Sequence, residues 1–213
     1  MKRRIVLLGP PASGKGTLAD RLESEFGLPT VSPGSLLRQE KAAGTELGLE
    51  AHRQTQQGML VDDDTINAIV GKWLDRQTGD AFVFDGYPRT LGQATALETM
   101  LAKRGTPLDL VILLEADPDT LRDRVAKRAT CSHCGNIVRI GVHVASLEAP
   151  CPRCGGELVR RSDDTDEALA RRLQEYAEKT EPLINYYEDR KVLSRVDTQP
   201  VPDRVFEQVR PLL

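Results

Sequence analysis

A short apolar run that ends in a glycine-rich loop constrains the fold of this chain more than any other stretch. Residues 5–8 are apolar, Gly9 follows, and after four further residues come Gly14 and Lys15, where a helical pattern begins. In such a loop the backbone N–H groups converge on one concavity, the helix N-terminus faces it, and the lysine adds a mobile ammonium. The stretch predicts a strand, a phosphate-binding loop and a helix. The alternative is a glycine-rich turn that binds nothing.

The residue after the lysine departs from the commonest form of this loop. Gly16 separates Lys15 from Thr17, so the hydroxyl that usually binds magnesium comes one position later.

Composition narrows the class of protein. Of the 213 residues, 29% are charged and 4% aromatic, and the formal net charge is −3, which fits a globular chain and argues against a nucleic-acid surface. The apolar run near the N-terminus is too short for a signal peptide and leads directly into the loop. No stretch is long enough to span a membrane. We expect a cytoplasmic protein of one or two domains.

Apolar runs alternate with helical patterns along the chain. Four further runs predict strands: residues 29–32, 81–85, 110–114 and 192–196. This alternation is typical of an α/β fold in which a parallel sheet has helices on both faces and binds ligands at the carboxyl ends of its strands. Residues 38–58 are too polar for a core element and predict short helices beside the main body.

Local signals mark several helix ends. The acidic triplet at 62–64 favours a helix N-terminus, and we interpret it as a cap rather than a metal site. Thr90 with Gln93 predicts a capping box. Pro182 should bend or restart the helix in which it lies.

A carboxylate and an arginine follow the predicted strand at 81–85. Asp85 occupies the position where carboxylates in proteins with this loop face the magnesium site, usually through water. Arg89 follows on a tight turn, where a guanidinium can hold a phosphate through two hydrogen bonds. The alternatives are a turn cap for Asp85 and a surface ion pair for Arg89.

Four arginines flank a cysteine-rich segment. Arg124 and Arg128 are four residues apart, and we expect them on one helix face; Arg161 and Arg172 follow the segment. Convergent arginines stabilise the charge of a phosphoryl group in transfer. The alternative is that they belong to solvated helix faces.

The four cysteines form two C-x2-C-G knuckles. Cys131 and Cys134 are separated from Cys151 and Cys154 by sixteen residues. This spacing predicts a closed, structural, tetrahedral zinc site. Two disulfides or free thiols are the alternatives, and disulfides are disfavoured in a cytosolic protein.

These motifs together resemble the adenylate kinase family of nucleoside monophosphate kinases. The resemblance covers essentially the whole chain and rests on the loop at 9–17, the Asp-Gly-Tyr-Pro-Arg-Thr segment at 85–90 and the Arg-Ser-Asp-Asp segment at 161–164. It implies a P-loop NTPase fold with a five-stranded parallel sheet flanked by helices. The core would comprise residues 1–31, 62–126 and 165–213, with a monophosphate-binding insert at 32–61 and a zinc-ribbon-like LID at 127–164.

The family resemblance also implies a reaction, ATP + AMP ⇌ 2 ADP with Mg²⁺, carried out by a monomer. For ATP it implies contacts from Ala12, Ser13, Gly14, Lys15, Gly16, Thr17, Arg124, Arg128, Ile137, Val138 and the backbone of Gln199. For AMP it implies contacts from Pro33, Arg38, Met59, Leu60, Val61, Gly86, Tyr87, Pro88, Arg89, Gln93, Arg161 and Arg172. The catalytic groups would be Lys15, Arg89, Arg124, Arg128, Arg161 and Arg172, with Asp85 near Mg²⁺ and the four cysteines on Zn²⁺.

The chain departs from the family pattern in two places. Residues 32–35 read Ser-Pro-Gly-Ser where the family usually has Ser-Thr-Gly-Asp, so the threonine hydroxyl expected near the AMP base is replaced by Pro33, which has no side-chain donor or acceptor. Val138 stands where the LID usually has an aromatic residue.

These departures keep other functions open. One is the same chemistry on UMP or CMP, or with GTP as donor. The other is a zinc-ribbon protein that binds a nucleotide as a switch or nucleic-acid adaptor without kinase activity, which the scarcity of aromatic residues disfavours.

Overall fold

The computed structural model describes residues 1–56, 61–160, 164–199 and 201–213. Met59, Leu60 and Arg161, which we expect at the acceptor nucleotide, lie outside these described residues.

The strands are β1 (Arg4–Leu8), β2 (Thr30–Val31), β3 (Phe82–Asp85), β4 (Leu110–Glu115), β5 (Arg128–Cys131), β6 (Ile137–Arg139), β7 (Leu158–Val159) and β8 (Leu193–Asp197). The helices are α1 (Lys15–Phe26), α2 (Pro33–Ala42), α3 (Glu46–Gln56), α4 (Asp63–Arg76), α5 (Leu91–Lys103), α6 (Pro118–Ala126), α7 (Asp166–Glu175), α8 (Leu183–Asp189) and α9 (Pro202–Val209).

The main sheet has five parallel strands in the order β2-β3-β1-β4-β8, which confirms the predicted α/β class. The central strand β1 pairs with β3 and β4, and Leu7 lies opposite Asp85 on one side and Ile112 on the other. The loop that follows β1 therefore begins beside the residue that ends β3. Among the described residues, no helix combines the length and the apolar content that crossing a membrane requires.

Both faces of the sheet are buried, so β1, β3 and β4 are apolar except at one terminal residue each. Val6 and Leu8 face a cluster formed mainly with α4, α5 and α8. Ile5 and Leu7 face a second cluster formed with α1 and α9. Full burial of each such side chain contributes about 1.5–3 kcal/mol, so the two clusters fix the positions of the loops that leave the sheet.

Side chains at the helix ends agree with most of the predicted local signals. Asp62 caps α4, because its Oδ1 accepts the N–H of Thr65 over 2.8 Å. Thr90 caps α5 by accepting the N–H of Gln93 over 3.1 Å. A capping box also requires the Gln93 side chain to accept the backbone N–H of Thr90. That part of the prediction is wrong, since the Gln93 side chain accepts the N–H of Arg89 instead.

The helix that contains Pro182 is interrupted as expected. Helix α7 ends at Glu175, a π-helical turn covers Tyr176–Thr180, and α8 begins at Leu183. Proline lacks the N–H that a continuous helix needs, which accounts for the restart.

The expectation that Arg124 and Arg128 share a helix face is wrong. Helix α6 ends at Ala126, and Arg128 begins β5, where it pairs with Arg139 of β6. The chain leaves the helix because the antiparallel ladder of the cysteine-rich segment starts there. The two arginines consequently lie on different elements.

The cysteine-rich segment folds around a small core of its own. Strands β6, β5 and β7 form a three-stranded sheet, and Ala129, Val138 and Leu158 pack against the buried Cys131 and Cys151. A core of this size contributes little stability, so such segments usually need a staple.

Candidate functional site

The loop between β1 and α1 is closed by its own backbone and by its lysine. Lys15 Nζ donates to the carbonyl oxygens of Gly9 and Pro10 over 2.8 and 2.9 Å, and the N–H of Ser13 donates to Pro10 over 3.2 Å. The Ser13 hydroxyl is buried and has no hydrogen-bond partner within the described part of the chain. Buried polar groups without a partner are rare. This hydroxyl belongs to the loop that is predicted to receive a phosphate, and its oxygen lies 2.8 Å from the place that a Cβ on Gly9 would take.

Ala12 adopts a left-handed backbone conformation inside this loop. Its φ is +64°, a region that residues with a Cβ occupy at a cost of about 1–2 kcal/mol. Strain of this kind often accompanies loops whose shape serves a ligand.

Replacing Ala12 with glycine is expected to raise the free energy of unfolding by about 0.5–1 kcal/mol, because the relief of strain exceeds the added entropy of the unfolded chain. The melting temperature measures the change. The control is Ala102→Gly on the exposed side of α5, which we expect to destabilise by about 1 kcal/mol. A destabilised Ala12→Gly variant would show that the loop is not strained.

Lys15 lies among charged groups from three other elements. Burial lowers the pKa of its ammonium to about 8; the charge of Asp85 opposes this shift, and those of Arg89 and Arg172 add to it. Burial likewise raises the pKa of Asp85, and the charges of Lys15 and Arg89 counteract it. The structure therefore places Asp85, Arg89 and Arg172 close enough to Lys15 for their charges to act on it, beside the carboxyl ends of β1 and β3.

Arg124 binds the backbone of the loop between β1 and α1. Its Nη1 donates to the carbonyl oxygens of Ser13 and Ala12 over 3.1 and 3.3 Å, and its Nη2 contacts the carbonyl oxygen of Thr198. Gln199 follows Thr198, is exposed, and donates its backbone N–H to Asp197 over 2.9 Å. Arg124 thus ties the loop to the segment after β8.

The side chains predicted to reach ATP from the LID differ in their exposure. Arg128 Nε donates to Asp164 Oδ2 over 2.9 Å and Nη2 contacts Oδ1, so the guanidinium is held by a carboxylate. Ile137 is 42% exposed, whereas Val138 is 2% exposed within the LID core. A nucleotide contact of Val138 would have to come from its backbone.

The turn after β3 presents Arg89. The side chain is exposed, and its Nε donates to the carbonyl oxygen of Gly86 over 2.8 Å. Tyr87 is buried and donates its hydroxyl to Asn67 Oδ1 over 2.7 Å, and Pro88 is buried as well. These two side chains fix the turn rather than project from it.

The predicted acceptor insert begins with a self-capped helix. The N–H of Ser35 donates to Ser32 Oγ over 3.2 Å, and the N–H of Ser32 donates to Ser35 Oγ over 3.1 Å. Pro33 is buried at the first helical position, and Arg38 is exposed one turn further on. Val61 packs against the main core.

Asp63, one of the three acidic residues at 62–64, contacts the start of α5 in addition to beginning α4. Asp63 accepts hydrogen bonds from Thr90 and Gln93, while Gln93 Oε1 accepts the N–H of Arg89 over 2.8 Å. Both ends of the Gln93 amide are engaged, and the side chain is 5% exposed. No local pattern could reveal this contact, because Asp63 and Gln93 are thirty residues apart.

The four cysteine sulfurs form a compact cluster that can hold a metal ion. All lie within 4.8 Å of one another, with 3.5 Å between Cys131 and Cys154 and 3.7 Å between Cys134 and Cys151. A tetrahedron of thiolates on Zn²⁺ has edges of about 3.8 Å, so the spacing fits that ion. All four cysteines are free, and these pairs are too far apart for disulfides.

The backbone packs closely around the cysteine sulfurs and donates a hydrogen bond to one of them. The N–H of Cys134 donates to Cys131 Sγ over 3.5 Å and lowers the pKa of that thiol. A Cβ added to Gly156 would lie 3.1 Å from Cys131 Sγ and 2.9 Å from the Cβ of His133. Only glycine leaves room there, which indicates that the chain closes tightly over the cluster.

The chain matches known proteins along almost its full length. A family model described as adenylate kinase matches residues 7–192. The chain is 42% identical over 202 residues to an adenylate kinase of Salinispora tropica, covering 94% of this chain and 93% of the relative. It is 39% identical to that of Thermodesulfovibrio yellowstonii, covering 99% and 98%, and 40% identical to that of Novosphingobium aromaticivorans, covering 98% of each. Motifs, fold and relatives agree: the chain belongs to the adenylate kinase family of phosphotransferases.

Proposed function

We propose that the protein catalyses the reversible reaction ATP + AMP ⇌ 2 ADP with Mg²⁺. The observation that carries this proposal is that Asp85, Arg89 and Arg172 lie near Lys15, beside the loop that is predicted to bind phosphate. Three cationic groups and one carboxylate suit a metal-bound triphosphate that meets a second phosphate. The names of the relatives indicate the same activity.

The donor nucleotide would lie in the loop. The backbone from Ala12 to Thr17 would surround the ATP phosphates, with Lys15 reaching the β- and γ-phosphates. Arg124 would hold the donor phosphates from the loop side, and Arg128 and Ile137 would approach from the LID. Binding of ATP would redirect the Lys15 ammonium from the loop carbonyl oxygens to a phosphate, so that the cation gains an anionic partner.

The acceptor would lie on the other side of the same cations. We assign Arg38, Arg89, Arg161 and Arg172 to the AMP phosphate and the phosphoryl group in transfer, and Gln93 to the base. The acceptor phosphate is itself a nucleophile, so the protein needs no covalent intermediate and no strong general base. Its task is to align two anions that repel each other and to exclude water.

We assign Asp85 to the magnesium ion that would accompany the ATP phosphates. The Asp85 side chain is desolvated at the end of β3, and a Cβ on Gly16 would lie 3.5 Å from its Oδ2. Mg²⁺ is commonly held by one carboxylate, several waters and the substrate phosphates. Bound there, it would neutralise charge that develops between the β- and γ-phosphates.

We further propose that the chain works as a monomer with two closing inserts. The core would be residues 1–31, 62–126 and 165–213, the acceptor insert 32–61, and the LID 127–164 with Zn²⁺ on the four cysteines. Closure would bring the arginines together and keep water from the transferring phosphoryl group. Four free thiols suit a reducing compartment, which supports a cytoplasmic location.

The acceptor base is the first thing to measure, because Pro33 is buried and offers no polar group to a base. We expect coupled assays with ATP as donor to give kcat/KM for AMP at least about tenfold above CMP, UMP and GMP, since a site that hydrogen-bonds one base leaves its polar groups unpaired with another. Activity on a pyrimidine monophosphate but not on AMP would contradict the proposal. ATP hydrolysis without any acceptor would contradict it too.

A further inference from the structure

Asp63, the first residue of α4, is bonded to the turn that carries Arg89. Its Oδ2 accepts the hydroxyl hydrogen of Thr90 over 2.5 Å, and its Oδ1 accepts a hydrogen from Gln93 Nε2 over 2.7 Å. The Thr90 hydroxyl donates here because its oxygen already accepts the N–H of Gln93. The half-buried carboxylate thus joins the start of α4 to the start of α5.

The Gln93 amide lies between a group that accepts and a group that donates. Asp63 takes the hydrogen from Nε2, and the backbone N–H of Arg89 donates to Oε1 over 2.8 Å. Turning the amide by half a revolution would set its oxygen against the carboxylate and its NH₂ against the N–H. Both hydrogen bonds would be lost, so Asp63 and Arg89 together permit one orientation.

The orientation matters for what the amide can still bind. Beyond these two bonds, Gln93 keeps one N–H and one oxygen lone pair. Adenine offers an acceptor at N1 and a donor at N6, whereas hypoxanthine offers the reverse, a donor at N1 and an acceptor at O6. An amide held in one orientation complements one of these edges and opposes the other.

We propose that Asp63 is a positioning residue that sets the selectivity for the acceptor base by fixing the Gln93 amide. This inference rests on the proposed function, in which Gln93 meets the base of AMP. Asp63 touches no substrate in this scheme; it acts through Gln93 and through the backbone that carries Arg89.

The test compares AMP with inosine monophosphate as acceptors in wild type and in Asp63→Asn. An asparagine amide both donates and accepts, so it no longer opposes the turned Gln93 amide, which then loses only the bond from the Arg89 N–H. We expect the ratio of kcat/KM for AMP to that for inosine monophosphate to fall about tenfold in the variant, with KM for ATP changed less than about twofold. Because the ratio is taken within one protein, a reduced folded fraction cancels.

The matched control is Asp64→Asn, which removes the neighbouring exposed carboxylate and should keep the wild-type ratio. If Asp63→Asn does not fold, Asp63→Ser gives the same comparison, since a hydroxyl also donates and accepts. An unchanged ratio, or equal losses with both acceptors, would overturn the inference while leaving the proposed function intact. A wild-type enzyme that fails to phosphorylate AMP would overturn the proposed function itself.

Discussion

Replacing Lys15 with methionine is expected to lower kcat by about a thousandfold while the protein stays folded. The ammonium is the cation that the loop itself carries, and it lies where the charges of Asp85, Arg89 and Arg172 act on it. Methionine is an unbranched side chain of similar length without the positive charge, so the transferring phosphoryl group loses that stabilisation. Steady-state kinetics in both directions of the reaction measure the effect.

Stability should respond very differently to this change. Burial lowers the pKa of the ammonium to about 8, and within the described residues it donates to two carbonyl oxygens. An apolar side chain of similar length removes that desolvation, so we expect a melting temperature within about 3 °C of wild type. The control is Lys103→Met on the exposed end of α5, which should change neither quantity. Normal turnover in Lys15→Met would refute the assignment.

Replacing Cys131 with serine is expected to release one zinc ion per chain and to lower the melting temperature by about 6–12 °C. The small LID core is built around Cys131 and Cys151, so loss of the metal leaves its sheet without a staple. A loss on the order of 3 kcal/mol produces a shift of that size in a chain of this length. Elemental analysis and thermal unfolding, each on the full chain, give the two measurements.

A chelator separates the metal from the side chain. Wild type treated with a strong chelator should melt near the temperature of Cys131→Ser, whereas the variant should not respond. Ser132→Ala, in the same knuckle, is the matched control and should retain metal. A wild-type protein that contains no zinc, or a variant that keeps it, would contradict the assignment. Turnover at a temperature where both forms are folded should differ far less than stability does.

The parts of the molecule that could be predicted from the sequence are those encoded by neighbours in the chain. The loop at 9–14, the parallel sheet and the cysteine knuckles depend on short spacings and on apolar runs. The restart at Pro182 and the cap at Asp62 are likewise local, since one missing N–H or one carboxylate decides them.

The errors and omissions concern contacts between distant residues. Arg124 and Arg128 are four apart, but α6 ends between them because a separate sheet begins. Gln93 has the spacing of a capping box, yet its amide lies between Asp63 and the N–H of Arg89. Spacing along the chain does not specify which of several polar or apolar partners a side chain will meet.

The paired serines at the start of α2 have a consequence for the proposed capture of the acceptor. Ser32 and Ser35 satisfy each other's backbone N–H groups, so this helix end holds its shape before any ligand arrives. A proline at the first helical position restricts it further. Preorganisation of this kind spares an incoming nucleotide the entropic penalty of ordering the polypeptide, and leaves mainly its own loss of freedom to be offset by the contacts it makes.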